Sequence, residues 1–213
     1  MKVFADRVEA GRLLAEELSE RAGDPSVCVL ALPRGGVPVA AAVAERLGAP
    51  LDVLVVRKIG APGQPELALG ALASGDVVVM NDSLMPYFSG ADQAIAATIE
   101  RERAELARRE RVYRGGHPPL DVTDRTVILV DDGIATGATM RAAVRALRDR
   151  GAKEVVVAVP TAPRDTCDTL RQEADEVVCL DMPEPFVAVG RWYQDFSQTT
   201  DDEVRTLLGD ARK

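Results

Sequence analysis

Residues 127 to 139 constrain this chain more than any other stretch: Val127-Ile128-Leu129-Val130-Asp131-Asp132-Gly133-Ile134-Ala135-Thr136-Gly137-Ala138-Thr139. Four apolar residues in a row read as a short buried strand. Two adjacent carboxylates follow at its carboxyl end, where open α/β sheets bind ligands. A loop of small residues then runs directly into the helical pattern of residues 140 to 150. Free backbone N–H groups, two hydroxyls and the positive end of a helix dipole meet there, which makes an anion site. Such a unit demands a sheet with a helix packed back onto it. It also places two acids beside a phosphate cradle. That pairing suits a sugar phosphate, with the acids accepting hydrogen bonds from vicinal hydroxyls and the loop wrapping the phosphate.

The same strand-loop-helix grammar recurs along the chain. Asp6 is placed to cap a helix over 6 to 22, with Gly23 as its stop. Val27 to Leu32 reads as a buried strand, and Pro38 suits the first turn of a helix ending near Gly48. Leu51 to Val56 is the next expected strand, a Gly- and Pro-rich loop runs from Lys58 to about Pro65, and Val77 to Met80 is a further strand. Elements over 126–130, 140–150, 154–159, 164–173 and 176–180 continue the alternation. The expected fold is therefore α/β, a doubly wound and mainly parallel sheet with helices on both faces. The chain reads as one domain over 1–213, with a helical insertion at about 91–114. In that insertion Ile95, Ile99, Leu106 and Tyr113 share one face, and Arg101–Glu105 and Glu105–Arg109 stand at i,i+4. It reads as a helix lying along the domain, with a dimer contact as the other reading.

Composition narrows the partners. With 46% hydrophobic and only 4% aromatic residues, the core must be built from Val, Ala and Leu. A formal charge of −8 argues against a surface that coats nucleic acid or an anionic membrane. Cys28, Cys167 and Cys179 are odd in number, and two lie in apolar runs, so reduced thiols are expected. His117 is the single histidine and sits in a Gly-Gly-His-Pro-Pro turn, so no zinc site is expected. No apolar run approaches a membrane span and the amino terminus carries no signal-like core, which points to a cytoplasmic protein.

The segment from strand to Thr139 resembles the phosphoribosyl-pyrophosphate (PRPP) motif of type I phosphoribosyltransferases, with both acids, the glycine and both threonines in place. That resemblance implies transfer of the 5-phosphoribosyl group from PRPP to a nitrogen nucleophile, with release of pyrophosphate. A nucleobase is the expected acceptor. It makes Asp131 and Asp132 the residues beneath the ribose, and Ala135, Thr136, Gly137, Ala138 and Thr139 the 5′-phosphate cradle. Pyrophosphate needs a second anion site, and Leu32-Pro33-Arg34-Gly35-Gly36 offers one, with two glycines that open backbone N–H groups and Arg34 as a fixed cation. Relatives commonly carry a non-proline cis peptide in this loop, which the resemblance places at Pro33–Arg34. Arg57 and Lys58 resemble the Arg-Lys start of the catalytic loop in adenine and xanthine enzymes, where cations offset charge on the departing group.

The chain departs from the 6-oxopurine pattern at the fifth position of the motif, where Ala135 replaces an acid. The resemblance to adenine enzymes, which place a catalytic Glu in the comparable loop, makes Glu66 the candidate base. The segment from Pro183 to Phe196 resembles the hood of hypoxanthine-guanine enzymes, so a hood contribution is expected over about 181–213. The resemblance makes Phe186 the residue stacking on the acceptor and Asp195 a metal contact, with Mg²⁺ as the implied cofactor. Phe186, Trp192 and Tyr193 form an aromatic cluster, and Thr161 lies at the carboxyl edge of the sheet. Extra residues before and after Gly190 keep the backbone contacts of that hood from being carried over. Two other readings stay open: the same chemistry on an unusual amine or hydroxyl acceptor, and a non-catalytic regulator that senses PRPP. Relatives are commonly dimers, so a homodimer is one expectation.

Overall fold

A computed structural model describes residues 3–81 and 83–211. Helix α1 (Arg7–Glu17) opens the fold, and the Asp6 carboxylate accepts the Glu9 N–H as foreseen. Strand β1 (Val27–Ala31) leads into α2 (Gly36–Leu47) and β2 (Leu51–Val53). The chain then leaves the main sheet for β3 (Val56–Ala61), β4 (Gln64–Ala73) and β5 (Val77–Met80). Helix α3 (Asp92–Arg114) brings it back to β6 (Thr126–Val130) and α4 (Ala138–Asp149). Strand β7 (Glu154–Thr161), α5 (Arg164–Leu170), β8 (Glu176–Asp181) and α6 (Asp201–Asp210) complete it.

The main sheet has five parallel strands in the order β2-β1-β6-β7-β8. Alternate side chains of each strand feed two cores. Val27, Val29, Ala31, Ile128, Val130, Val156 and Ala158 join α1, α2 and α6 on one face. Cys28, Leu30, Val127, Leu129, Val155, Val157 and Val159 join α4 and α5 on the other. Every residue of β1 and β6 is buried, at roughly 1.5–3 kcal/mol for each large aliphatic side chain. The expected doubly wound α/β architecture is what forms.

Between Val56 and Ala73 the structure corrects the sequence reading. The expected loop from Lys58 to Pro65 is an antiparallel β-hairpin, and with β5 it makes a separate three-stranded sheet. Pro62 and Gly63 form only its turn, and the register slips on both sides of Gly60, where a Cβ would meet the Pro65 backbone at 2.6 Å. Glycine and proline thus mark a turn and a bulge, while fully buried Ile59, Leu69 and Leu72 hold the strands down. The strand expected to reach Val56 ends at Val53, because Val56 opens β3 and pairs with Ala73 of β4.

Helix α3 spans the two sheets: Ile95 packs with Ala61 and Leu69 of the small sheet, and Leu106 and Tyr113 join the main core. Its last residue, buried Arg114, donates through Nε to Asp52 at 3.0 Å and through Nη2 to the Val53 carbonyl at 2.6 Å. Glu105 does accept from Arg109, at 2.8 Å, but Arg101 turns to Glu102 instead. The region expected as a hood divides. Phe186, Val189, Trp192 and Tyr193 pack with Phe4 and Ala10 of the amino-terminal segment, whereas α6 buries Val204 and Leu208 in the main core.

Candidate active site

From β1 the chain winds toward one edge of the main sheet through β2, and from β6 toward the other through β7. The carboxyl ends of this adjacent pair are therefore the topological switch point, where a doubly wound sheet opens a crevice. Leu32 to Gly36 enters it from β1 and Asp131 to Thr139 from β6.

The two segments touch. A Cβ on Gly35 would lie 2.0 Å from Asp132 Oδ2, and one on Gly36 would lie 2.9 Å from Asp131 Cα. Any larger residue at either position would push the acids away. The peptide bond between Pro33 and Arg34 is cis, at the position given by the resemblance.

Asp131 and Asp132 sit largely out of water. The Asp132 N–H donates to Asp131 Oδ1 at 2.8 Å, the Tyr193 hydroxyl donates to the Asp132 carbonyl at 2.5 Å, and Arg7 Nε donates to Asp132 Oδ2 at 2.8 Å. Burial pushes the Asp131 carboxyl well above the usual carboxylate range, and the Asp132 charge adds to it. Burial raises Asp132 as well, against the pull of Arg7. Such a pair gains from any ligand that brings hydrogen-bond donors or positive charge.

Downstream, buried Ile134 anchors the loop, and its N–H donates to the Thr161 carbonyl at 3.0 Å. Ala135, Thr136, Ala138 and Thr139 stay exposed. Gly137 adopts a left-handed φ of 75°, and a Cβ there would meet Thr166 Cγ2 at 2.9 Å. Thr166 braces the loop further by donating its hydroxyl to the Ala135 carbonyl at 3.0 Å. No side chain caps α4, so among the described residues its first-turn N–H groups have no side-chain acceptor.

Each expected cation is held by a carboxylate. Arg34 lies 3.5 Å from Asp201, Arg57 donates to Glu102 at 2.7 and 3.0 Å, and Lys58 reaches Glu66 at 3.1 Å. Arg57, Lys58, Glu66 and Glu102 line one cavity of ≈ 460 Å³. Phe186 lines another of ≈ 550 Å³ with Ala135, Thr136, Arg141, Asp165 and Thr166. Its ring stands 6.3 Å from that of Trp192.

Glu66 is thus not brought to the cavity that Phe186 faces; its side chain is 96% exposed and bound to Lys58. The acid that shares the Phe186 cavity is Asp165. Asp195 is not gathered with Asp131 and Asp132 either. It accepts the Ser197 N–H at 2.9 Å, which lowers its pKa, and among the described residues no group of three acidic, cysteine or histidine side chains could hold a metal. Thr161 is fully buried under the hood, its hydroxyl without a described partner. Sequence reasoning missed Arg7, Glu102, Asp165, Thr166 and Asp201. Only Arg7 left a trace, as a cation in the first turn of a helix, where the dipole disfavours it.

Residues 5–194 match the phosphoribosyl transferase domain family. A Mycobacterium tuberculosis protein, whose name assigns it provisionally to the phosphoribosyl transferases, is 50% identical over 214 aligned residues, covering 100% of this chain and 48% of that protein. The chain thus spans about half the length of the curated relatives it matches over its whole extent. A shorter stretch of 75 aligned residues is 37% identical to the bifunctional protein PyrR of Actinobacillus pleuropneumoniae, covering 34% of this chain and 42% of PyrR. The solved structure of TT1426 from Thermus thermophilus superposes with a TM-score of 0.87 at 44% identity, covering 99% of each chain. The chain belongs to the phosphoribosyl transferase domain family.

Proposed function

We propose that this protein transfers the 5-phosphoribosyl group of PRPP to a nitrogen nucleophile, a nucleobase in the first instance, and releases pyrophosphate. One observation carries the reading: Gly35 and Gly36 bring the Arg34 loop into van der Waals contact with the acid pair that precedes the phosphate loop. A ribose with an anionic group at each end suits that junction, with its 5′-phosphate on residues 135–139 and its pyrophosphate toward Arg34.

The nucleophile's lone pair forms a bond to C1 as the bond from C1 to the pyrophosphate oxygen breaks. Positive charge spreads over the ribose ring in between. Asp131 and Asp132 stabilise it electrostatically from fixed positions while accepting hydrogen bonds from the ribose hydroxyls. Arg34 takes up charge on the departing pyrophosphate, joined by Arg57 and Lys58 as they exchange Glu102 and Glu66 for phosphate oxygens. The 5′-phosphate is remote from C1, so its binding energy serves to position the reacting carbon. The acceptor lies against Phe186, and Asp165 is the carboxylate available there to take its proton.

Asp131 and Asp132 fit a magnesium ion that arrives with PRPP, because this hard cation takes one or two carboxylates and fills its shell with substrate oxygens and water. Bound there, it would supply charge neutralisation for the leaving group. The deciding experiment measures pyrophosphate release from PRPP and Mg²⁺ across a panel of purines, pyrimidines and amines. A signal with one class of acceptor names the substrate. No release with any of them, together with no calorimetric uptake of PRPP, overturns the reading.

A further inference from the structure

Arg7 has no part in the chemistry described so far, yet its side chain is among the most heavily engaged in the crevice. It stands at the first position of α1, against the helix dipole, so its placement there costs helix stability. What it gains is a set of contacts far away in sequence. Nε donates to Asp132 Oδ2 at 2.8 Å across 125 residues, and Nη1 donates to the Ser197 carbonyl at 2.7 Å. The guanidinium lies 4.0 Å from the centre of the Phe196 ring and 6.0 Å from that of Tyr193. Its side chain is 11% exposed and that of Asp132 14%.

This is work for a planar fork, which can donate along two directions in one plane while its face rests on an aromatic ring; an ammonium cannot do all three. A largely buried ion pair of this kind contributes little net stability, since desolvation offsets attraction. Its effect is therefore on geometry. Asp132 is fixed at three points: its N–H by Asp131, its carbonyl by Tyr193 and its Oδ2 by Arg7. Close contact with Gly35 closes the fourth side.

We propose that Arg7 is a positioning residue for sugar recognition. It locks the Asp132 carboxylate in one rotamer, so that the other oxygen faces the ribose hydroxyls, and it fastens Phe196 and Ser197 beside the acid. The inference rests on the phosphoribosyl reading of the site, and the test separates the two. PRPP affinity is measured by calorimetry for the wild-type chain, Arg7→Met, Arg7→Lys, Asp132→Asn and the double variant Arg7→Met/Asp132→Asn.

Loss of a locked acceptor should weaken PRPP binding about tenfold in Arg7→Met, and kcat should fall with it, because the same carboxylate faces the charge that develops on the ribose. Arg7→Lys should recover to within about threefold of wild type. In the Asp132→Asn background Arg7→Met should add nothing, because the group it positions is gone. An equal loss in both backgrounds, or no loss in either, overturns the proposal. Should Arg7→Met fail to fold, Arg7→Gln replaces it in the same cycle. A wild-type chain that takes up no PRPP condemns the functional reading instead.

Discussion

The two sheets of this molecule hold their charged residues in opposite ways. In the parallel sheet, β1 and β6 are buried end to end, and the acids and the 135–139 loop that follow β6 are pinned by backbone and side-chain contacts. In the antiparallel sheet, β5 is half-buried throughout, β4 begins with four exposed residues, and the two cations sit in ion pairs with Glu102 and Glu66. The acid pair is braced by backbone and side-chain contacts together, whereas the hairpin cations rest on carboxylate partners, which a ligand's anion can replace. Binding that must be constant belongs on the first, and charge that must move with a leaving group belongs on the second.

Variants on each side can break this contrast. The largest effect is expected for Asp131→Asn combined with Asp132→Asn, which should cut turnover by about a thousandfold or more, since it removes all negative charge beneath the ribose. A double variant with wild-type rates of pyrophosphate release would end the assignment. On the hairpin side, Arg57→Ala should lower kcat about tenfold and leave PRPP affinity within about twofold, the mark of an interaction made late in the reaction. Steady-state kinetics with PRPP varied reads both numbers, and an equal fall in affinity would put Arg57 on the constant side.

Gly137→Ala should destabilise the fold by about 1–2 kcal/mol, from its left-handed φ and its contact with Thr166, and should weaken PRPP binding in parallel. Thermal unfolding with and without PRPP measures both; a melting point equal to wild type would mean the loop is looser than its contacts imply. The smallest change is expected for Glu102→Gln, which frees Arg57 from its resting partner. It should raise pyrophosphate affinity about two- to threefold, and an unchanged value would show that the Arg57–Glu102 pair does not compete with ligand.

How much of this was legible beforehand follows the same division. Val127 to Thr139 could be read because strand, acids, loop and helix are contiguous, and each carries its own local signal. The hairpin was not, because Gly60, Pro62, Gly63 and Pro65 mimic a loop, and the small, apolar run of β4 shows no clear alternation. Asp195 stands apart from the acid pair because a turn with Ser197 claims its carboxylate, a local contact that the hood resemblance did not reveal. Arg7 left only the trace of a cation in the first turn of a helix, and its partner, like that of Glu102, could not be read: ion pairs across 125 and 45 residues leave no spacing to notice.

Phe4 and Tyr193 pair as neighbouring strands would, and the Gln194 N–H donates to the Phe4 carbonyl at 2.8 Å. That stitch joins a segment made early on the ribosome to one made late. A nascent chain carries residues 131–139 well before residue 193 has left the exit tunnel, while the Asp132 carbonyl still lacks the Tyr193 hydroxyl. The full set of contacts that Arg7 and Tyr193 make with Asp132 can therefore form only after synthesis has passed the last aromatic residues.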